Sequence, residues 1–584
     1  MEKEKTDKKE IFESAWNTTF FLENHLDHFS YPHKVATLEQ IAFMVYPDDS
    51  RTYYPCSDKV YNAIMSREKS EFLVQKYSAI FDRILKLIED KVEDENDKEF
   101  IKELLSIKYD HEARDAIIIP SRLEKRLLRI FLNRTQIADP YYEIKEERNL
   151  KVSKILNSRS FQTALTHVDK NRVEEIPDTL PDIKRYLDYI EFRRLLSISV
   201  DSGLYLTKKK YSKNDFLRIF EQKLEGDGAS QLFNFLGFKI DSKKREVKEK
   251  KTILWLANEA GEIMVDAKII NYLASIGHRV IVSFTKGPLF TKADIFDVHD
   301  DKVLNEPFKD AFFIKDKTLS KNRLVEILKK EKVLLLSDGG RETINLLLTS
   351  TTFARVFKEV DGVISRGVEQ KRVFFDTSFK FTQDIFNITQ GEQSVKISYK
   401  AKHPSVIKFS HNDLEVLAKE IINGMKDAQK KQMTVMFYSG IIGSIPGKID
   451  VAKKIMSVFI EHLKGKFADT HIINPSDYYK EGMDADDLMY MWEIVQTSGC
   501  IDIWRFQTYN DIADTFQLMK RKVPPEWVGK DSTYSTGCTK EMRIAMRVQN
   551  EHPEMQIIGP SKEMFIRRSE YGVGKMYDKI INDI

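Results

Sequence analysis

Residues 253–297 read ILWLANEAGEIMVDAKIINYLASIGHRVIVSFTKGPLFTKADIFD, and the fold turns on how this stretch is divided. An apolar run, Ile253 to Leu256, meets the polar turn Asn258-Glu259-Ala260-Gly261-Glu262. Ile263, Val265, Ile269, Ile270 and Leu273 then recur at helical spacing, Gly277 supplies a stop, and Val280 to Phe284 is rich in strand formers. The pattern predicts strand, helix and strand, with the polar turn at the carboxyl end of the first strand. In open parallel sheets ligands lie in the crevice beyond those ends. Asn258, Glu259 and Glu262 crowd the turn, and Asp294 and Asp297 follow the next strand. Carboxylates and an amide carbonyl are the donors a hard divalent cation takes. An ordinary polar loop with a glutamate at a helix start would carry the same letters.

Working outward, Val333 to Leu336 is predicted as a strand ending in Ser337-Asp338-Gly339-Gly340. Gly362-Val363-Ile364 leads into Ser365-Arg366-Gly367, and Val395 to Tyr399 runs into Lys400-Ala401-Lys402-His403-Pro404. Four predicted strands thus end in clusters that bear glycine, serine or basic residues, which favours one site along one sheet edge. The alternation of strands and helices from 252 to about 410 predicts a mostly parallel sheet with helices on its faces.

Ahead of this core, residues 1–250 read as a helical N-terminal region. Phe72 to Val92 has helical apolar spacing. Arg122, Lys125, Arg126 and Arg129 are expected on a solvated helix face. Asp139 before Pro140 is a helix-start signal, and Asp201 reads as a cap. The lysine-rich stretch Ser242 to Lys251 marks the boundary with the α/β core, 251–410.

Residues 411–584 form a second, smaller α/β domain, with a helix over Asp413 to Lys430 and a strand over Thr434 to Tyr438. The loop Gly440 to Lys448 resembles a nucleotide-binding P-loop only superficially. Ile449 stands where Ser or Thr must follow the lysine, and Ile442 where the first glycine belongs. Asp484, Asp486 and Asp487 open a helix, as negative charge at a helix start does, and Cys538 reads as an inert thiol.

Across 584 residues, 93 Lys and Arg offset 90 Asp and Glu, so no global basic field points to nucleic acid. Cys56, Cys500 and Cys538 are too dispersed for a disulfide framework or a cysteine zinc site. No apolar run reaches the roughly 18–20 residues that span a bilayer, and the first ten residues lack the apolar core of a signal peptide. A soluble, cytoplasmic protein with no membrane partner is expected.

Taken together these motifs resemble the damage-control phosphatases, a metal-dependent family once called domain of unknown function 89. The family's Asp-Asn-x-Gly-Glu turn is similar to Asn258-Glu259-Ala260-Gly261-Glu262, with Asp266 downstream. Lys286-Gly287-Pro288 and Asp297 resemble its Lys-Gly-Gly-Pro and later Asp, and Ser365-Arg366-Gly367 its Lys-Gly turn. Lys402-His403-Pro404 resembles its Lys-Cys-Pro, and Asp139-Pro140-Tyr141 with Lys145 and Asn149 its helical motif. The resemblance covers roughly residues 130–410.

It implies metal-dependent hydrolysis of a phosphate ester of a small metabolite, a sugar phosphate or a damaged phosphometabolite. Asn258, Glu259 and Asp297 would hold Mn²⁺, Mg²⁺, Co²⁺ or Ni²⁺, with Glu259, Asp297 and Arg366 catalytic. Glu262, Ser337, Asp338, Arg366 and Lys402 would bind substrate. Asn258 and Glu259 stand where the family keeps Asp and Asn, and Arg366 where it keeps Lys, which is not a like-for-like exchange. A catalytically inactive binding or regulatory module, with the C-terminal α/β domain taking a partner or nucleotide, is therefore the second reading.

Overall fold

The computed structural model describes residues 2–47, 51–68, 70–167, 179–238, 250–445 and 447–570. Most of the expected boundary stretch, residues 242–249, lies outside them. The chain divides into two compact units, one of Met1–Leu319 with Glu326–Val406 and the other of Ser320–Val325 with Ile407–Ile584.

In the first unit the apolar, β-branched runs form an eight-stranded sheet. Its strands are β1 (Lys223–Glu225), β2 (Thr252–Leu256), β3 (Arg279–Phe284), β4 (Phe312–Ile314), β5 (Val333–Ser337), β6 (Gly362–Arg366), β7 (Asp384–Gln390) and β8 (Ser394–Lys400), in the order β1-β8-β7-β6-β2-β3-β5-β4. The central strands are buried at nearly every position, as strands covered on both faces must be. Helical residues such as Val152, Phe161, Phe192 and Phe216 share one hydrophobic core with Ile253, Trp255, Val280 and Ile364.

Register decides where the site lies. Six strands, β7-β6-β2-β3-β5-β4, run parallel, with Leu256 beside Ser283, Trp255 beside Ile364, and Phe284 beside Ser337. The segments after β2, β3, β4, β5 and β6 therefore leave from one edge. β8 pairs antiparallel with β7, placing Lys400 beside Ile385 at the start of that strand. Lys402, expected on the site edge, thus lies at the opposite edge of the sheet, exposed, with its backbone N–H on Asp384. The periodicity of β8 cannot show this, because alternation is the same for both strand directions.

The helix Pro120–Thr135 also differs from expectation. Arg122 does not face solvent; it is buried, donating to Asn24 O (2.9 Å) and to both carboxylate oxygens of Glu342 (3.1 and 3.0 Å). Asp201 does turn its carboxylate on the chain, accepting from Gly203 N–H (2.9 Å).

The second unit holds a four-stranded parallel sheet, β9 (Thr434–Ser439), β10 (Thr470–Ile473), β11 (Ile503–Phe506) and β12 (Gln556–Ile558), in the order β10-β9-β11-β12. Asp484 caps the helix Ala485–Gln496 in a capping box with Asp487, and Lys448 pairs with Glu526. Cys538 is buried, and burial drives its thiol well above the ordinary range. Among the described residues no helix is long and apolar enough to cross a membrane.

Removing one partner of a buried ion pair strands the other. Arg122→Met is expected to cost about 3–5 kcal/mol in denaturant unfolding by leaving Glu342 with only the more distant Lys125 (3.9 Å), and Arg122→Met with Glu342→Leu to cost less. Equal losses in both variants would show that packing, not charge, holds this helix.

Candidate functional site

The turn after β2 is held from below by an ionic network. Gly261 has a φ of 87°, and a Cβ there would meet the Tyr205 side chain at 2.8 Å, so only glycine fits. Its N–H donates to Asn149 Oδ1 (2.7 Å). Glu262, first residue of the helix Glu262–Ser275, turns back on the turn. Its Oε2 accepts from the Asn258 side-chain amide (2.8 Å) and its Oε1 pairs with Arg366 (2.7 Å).

Arg366 is fully buried rather than open to a ligand. Besides Glu262, its guanidinium meets Asp266 (3.3 Å) and donates to Ser199 O (2.7 Å). Burial raises the Asp266 carboxyl against the pull of Arg366. Gly367, with a φ of 73°, leaves room for Asn258, whose amide nitrogen would lie 2.8 Å from any Cβ there. Gln370 ties the two strand ends together, accepting from Arg366 N–H (2.7 Å) and donating to Ala257 O (2.8 Å). Arg366 and Glu262 therefore orient Asn258, and its carbonyl oxygen faces the Lys292 ammonium (2.9 Å).

Beside this turn lies an acidic cluster. Asp294 caps the short helix Ile295–Asp300 in a capping box with Asp297. Asp139, Asp294 and Asp297 bring carboxylate oxygens within 4.8 Å of one another and could hold a metal ion. Glu259 stands outside this group, accepting from Thr291 Oγ1 (2.7 Å) and facing Arg148 (3.6 Å).

The cluster already contains one positive charge. Lys145 Nζ lies 2.6 Å from Asp139, 2.9 Å from Asp294 and 2.7 Å from Asp297. Burial works against that charge, but the three carboxylates outweigh it and hold the ammonium above its ordinary range. Burial, and then Asp294, push the Asp297 carboxyl upward. Three carboxylates against one ammonium leave a deficit of positive charge among oxygen donors, and that chemistry fits a hard divalent ion.

Of the residues singled out from sequence, the fold gathers Asn258, Glu259, Glu262, Asp297 and Arg366 around the ends of β2, β3 and β6. Asp338, buried after β5, lines a small cavity at the same edge with Ser283, Thr285, Lys292, Thr343 and Gln370. Ser337 Oγ is turned back onto Gly339 N–H (3.1 Å). Sequence reasoning placed Asp294 and Asp297 together after β3 but missed Asp139 as their partner and Lys145 as the shared cation. The spacing of Lys145 and Asn149, one helical turn apart, was the available signal: it puts both on the face that meets the acidic loop and the turn.

Residues 73–410 match the damage-control phosphatase ARMT1-like domain. This chain belongs to that family. A solved structure of a DUF89 family protein from Pyrococcus horikoshii is 15% identical, with a TM-score of 0.38, covering 55% of this chain and 96% of that chain. No curated protein matches the sequence. For a damage-control phosphatase domain the matched span covers both the helix that carries Lys145 and all six parallel strands, while the second unit lies almost wholly outside it.

Burial pushes the Asp338 carboxyl up to about 8. Its folded value lies above the unfolded one, so the native state holds the extra proton between about pH 4 and 8 and loses stability as pH rises through that window. Asp338→Asn should flatten the decline in melting temperature across that range. An unchanged slope would show that Asp338 is ionised throughout.

Proposed function

We propose that this protein is a metal-dependent phosphomonoester hydrolase acting on a small phosphorylated metabolite, a sugar phosphate or a damaged phosphometabolite. The carrying observation is the acidic cluster Asp139, Asp294 and Asp297 beside the Asn258 turn, at the carboxyl edge of a mostly parallel sheet in a phosphatase-family chain. Asp294 and Asp297, with Asp139, would hold Mn²⁺, Mg²⁺, Co²⁺ or Ni²⁺, and Asn258 Oδ1 and the Glu259 carboxylate border the same crevice. The bound ion would supply Lewis acidity to the phosphoryl oxygens and a more acidic water.

The chain's own groups do the positioning. Glu262, locked by Arg366, fixes the Asn258 amide so that its carbonyl faces the crevice. Lys145 keeps Asp294 and Asp297 converged and limits their mutual repulsion. Arg148 and Thr291 hold Glu259 at the rim. These contacts give Arg366 a positioning role in place of the phosphate clamp suggested by its place in the sequence.

One observation favours the second reading, an inactive phosphatase-like module: the Lys145 ammonium stands where a cation would, and Asn258 Oδ1 is taken by Lys292. Turnover decides between the two. The full chain with Mn²⁺, Co²⁺, Ni²⁺ or Mg²⁺ is expected to hydrolyse a generic aryl phosphate, and Asp297→Asn to reduce this to background. No turnover with any of these metals across a panel of sugar phosphates would select the inactive module.

Lys145→Met removes the only counter-charge described in the cluster. Its melting temperature should fall further below wild type in chelator than in Mn²⁺, because a divalent ion can replace the lost charge. An equal fall in both conditions would place the metal elsewhere.

A further inference from the structure

With Arg366 buried and Lys402 at the far edge, neither cation picked out from the sequence meets a phosphate in the crevice. The site edge carries others. Lys286 follows β3 by two residues, Lys317 follows β4, and Arg341 follows the Ser337-Asp338-Gly339-Gly340 turn after β5. Register brings the three segments to one edge, since Ile314 pairs with Leu336 and Phe284 with Ser337. Lys286 N–H donates to Gly340 O (2.7 Å), which joins two of the segments directly. The Arg341 guanidinium lies over Gly287, where a Cβ would approach its Nε to 3.2 Å.

We propose that Lys286, Lys317 and Arg341 form an anion subsite that receives the phosphoryl group of the substrate. In naming a substrate this rests on the phosphatase reading above.

Three physical facts support it. First, the side chains of these three residues have no ion pair or hydrogen bond with a carboxylate among the described residues, although the surface around them is rich in acids. Elsewhere lysines such as Lys309 and Lys464 close onto a neighbouring glutamate. Second, the like charges face one another. Burial, and then the charges of Lys317 and Arg341, hold the half-buried Lys286 ammonium below its ordinary range. A dianion placed among them would relieve that repulsion, and a guanidinium with two ammonium groups matches the oxygens of a phosphate. The acid that does face Lys286, Asp338, is pushed up by burial and stays largely protonated near neutral pH, so it does not neutralise the group.

Third, the subsite adjoins the acidic cluster. Ile295 N–H donates to Thr285 O (3.1 Å), and Thr285 bridges Asp294, one residue from Lys286. Basic and acidic groups thus stand side by side along β3. That is the division of labour a phosphoryl group bound between cations and a metal would require. A solvated basic patch would have the same composition, but it would not bring segments from three strand ends together without a counter-charge.

The test uses the full chain in chelator at low ionic strength, titrated calorimetrically with inorganic phosphate. Wild type is expected to bind one phosphate. Lys317→Gln combined with Arg341→Gln, both exposed positions, should bind at least about tenfold more weakly. Lys426→Gln, an exposed lysine of the second unit, should bind as wild type does. No phosphate binding by wild type, or equal binding by the double variant, overturns the subsite. Aryl phosphate turnover with Mn²⁺ separates the two proposals. Phosphate binding lost in the double variant without turnover in wild type keeps the subsite and removes the phosphatase. Turnover with an unchanged KM in the double variant keeps the phosphatase and removes the subsite.

Discussion

The Lys145 ammonium lies within 2.9 Å of three carboxylates, with almost no exposure to solvent. Three acids so close together could not all ionise in the interior without it, and the lysine could not stay charged there without them. This mutual dependence fixes more than a local contact. Lys145 sits on the helix Tyr142–Leu156, whose Asn149 also holds Gly261 N–H and the Asp301 carboxylate. One helix thereby ties the loop after β3 to the turn after β2. The two segments also pair directly, Ala260 N–H donating to Thr291 O (2.9 Å) and Ala293 N–H to Asn258 O (2.7 Å).

A second buried network works from the other side. Arg366, at the end of β6, spans Glu262, Asp266 and the Ser199 carbonyl, while Trp255 donates its indole N–H to Asp266 (3.0 Å). Its cost in desolvation is offset only because each charge finds an opposite one. The result is a rigid floor beneath Asn258. The two networks share no residue, yet both act on the same turn, through Gly261 and through Glu262. The charges of these two networks are therefore satisfied by partners inside the fold, while Glu259 is held nearer the surface by Thr291 and Arg148.

The second unit is built by ordinary rules. Its four parallel strands come in the order β10-β9-β11-β12, so the chain moves from β9 first to one side and then to the other. Its loop Gly440 to Lys448 commits the lysine to Glu526, and its cysteines Cys500 and Cys538 are buried.

Much of the architecture was legible in the letters. Periodicity identified β2, β3, β5 and β6 and the helices between them. The acidic run Asp484, Asp486 and Asp487 marked a helix start. Short strands were not legible: β1 and β4 have three residues each, too few for a period to register. Strand direction was not legible either, so Lys402 joined the site on paper and left it once β8 ran antiparallel. Side-chain destination was the largest gap. Arg122 and Arg366 look like surface or ligand arginines in sequence, and both are buried because Glu342 in one case, and Glu262 with Asp266 in the other, lie far along the chain but adjacent in space. The sequence by itself determined which residue types stand at the strand ends, since turn chemistry and apolar spacing are local. Only the tertiary structure decided which charges cancel and which remain, because an ion pair depends on distances of a few ångströms between segments that no local pattern relates.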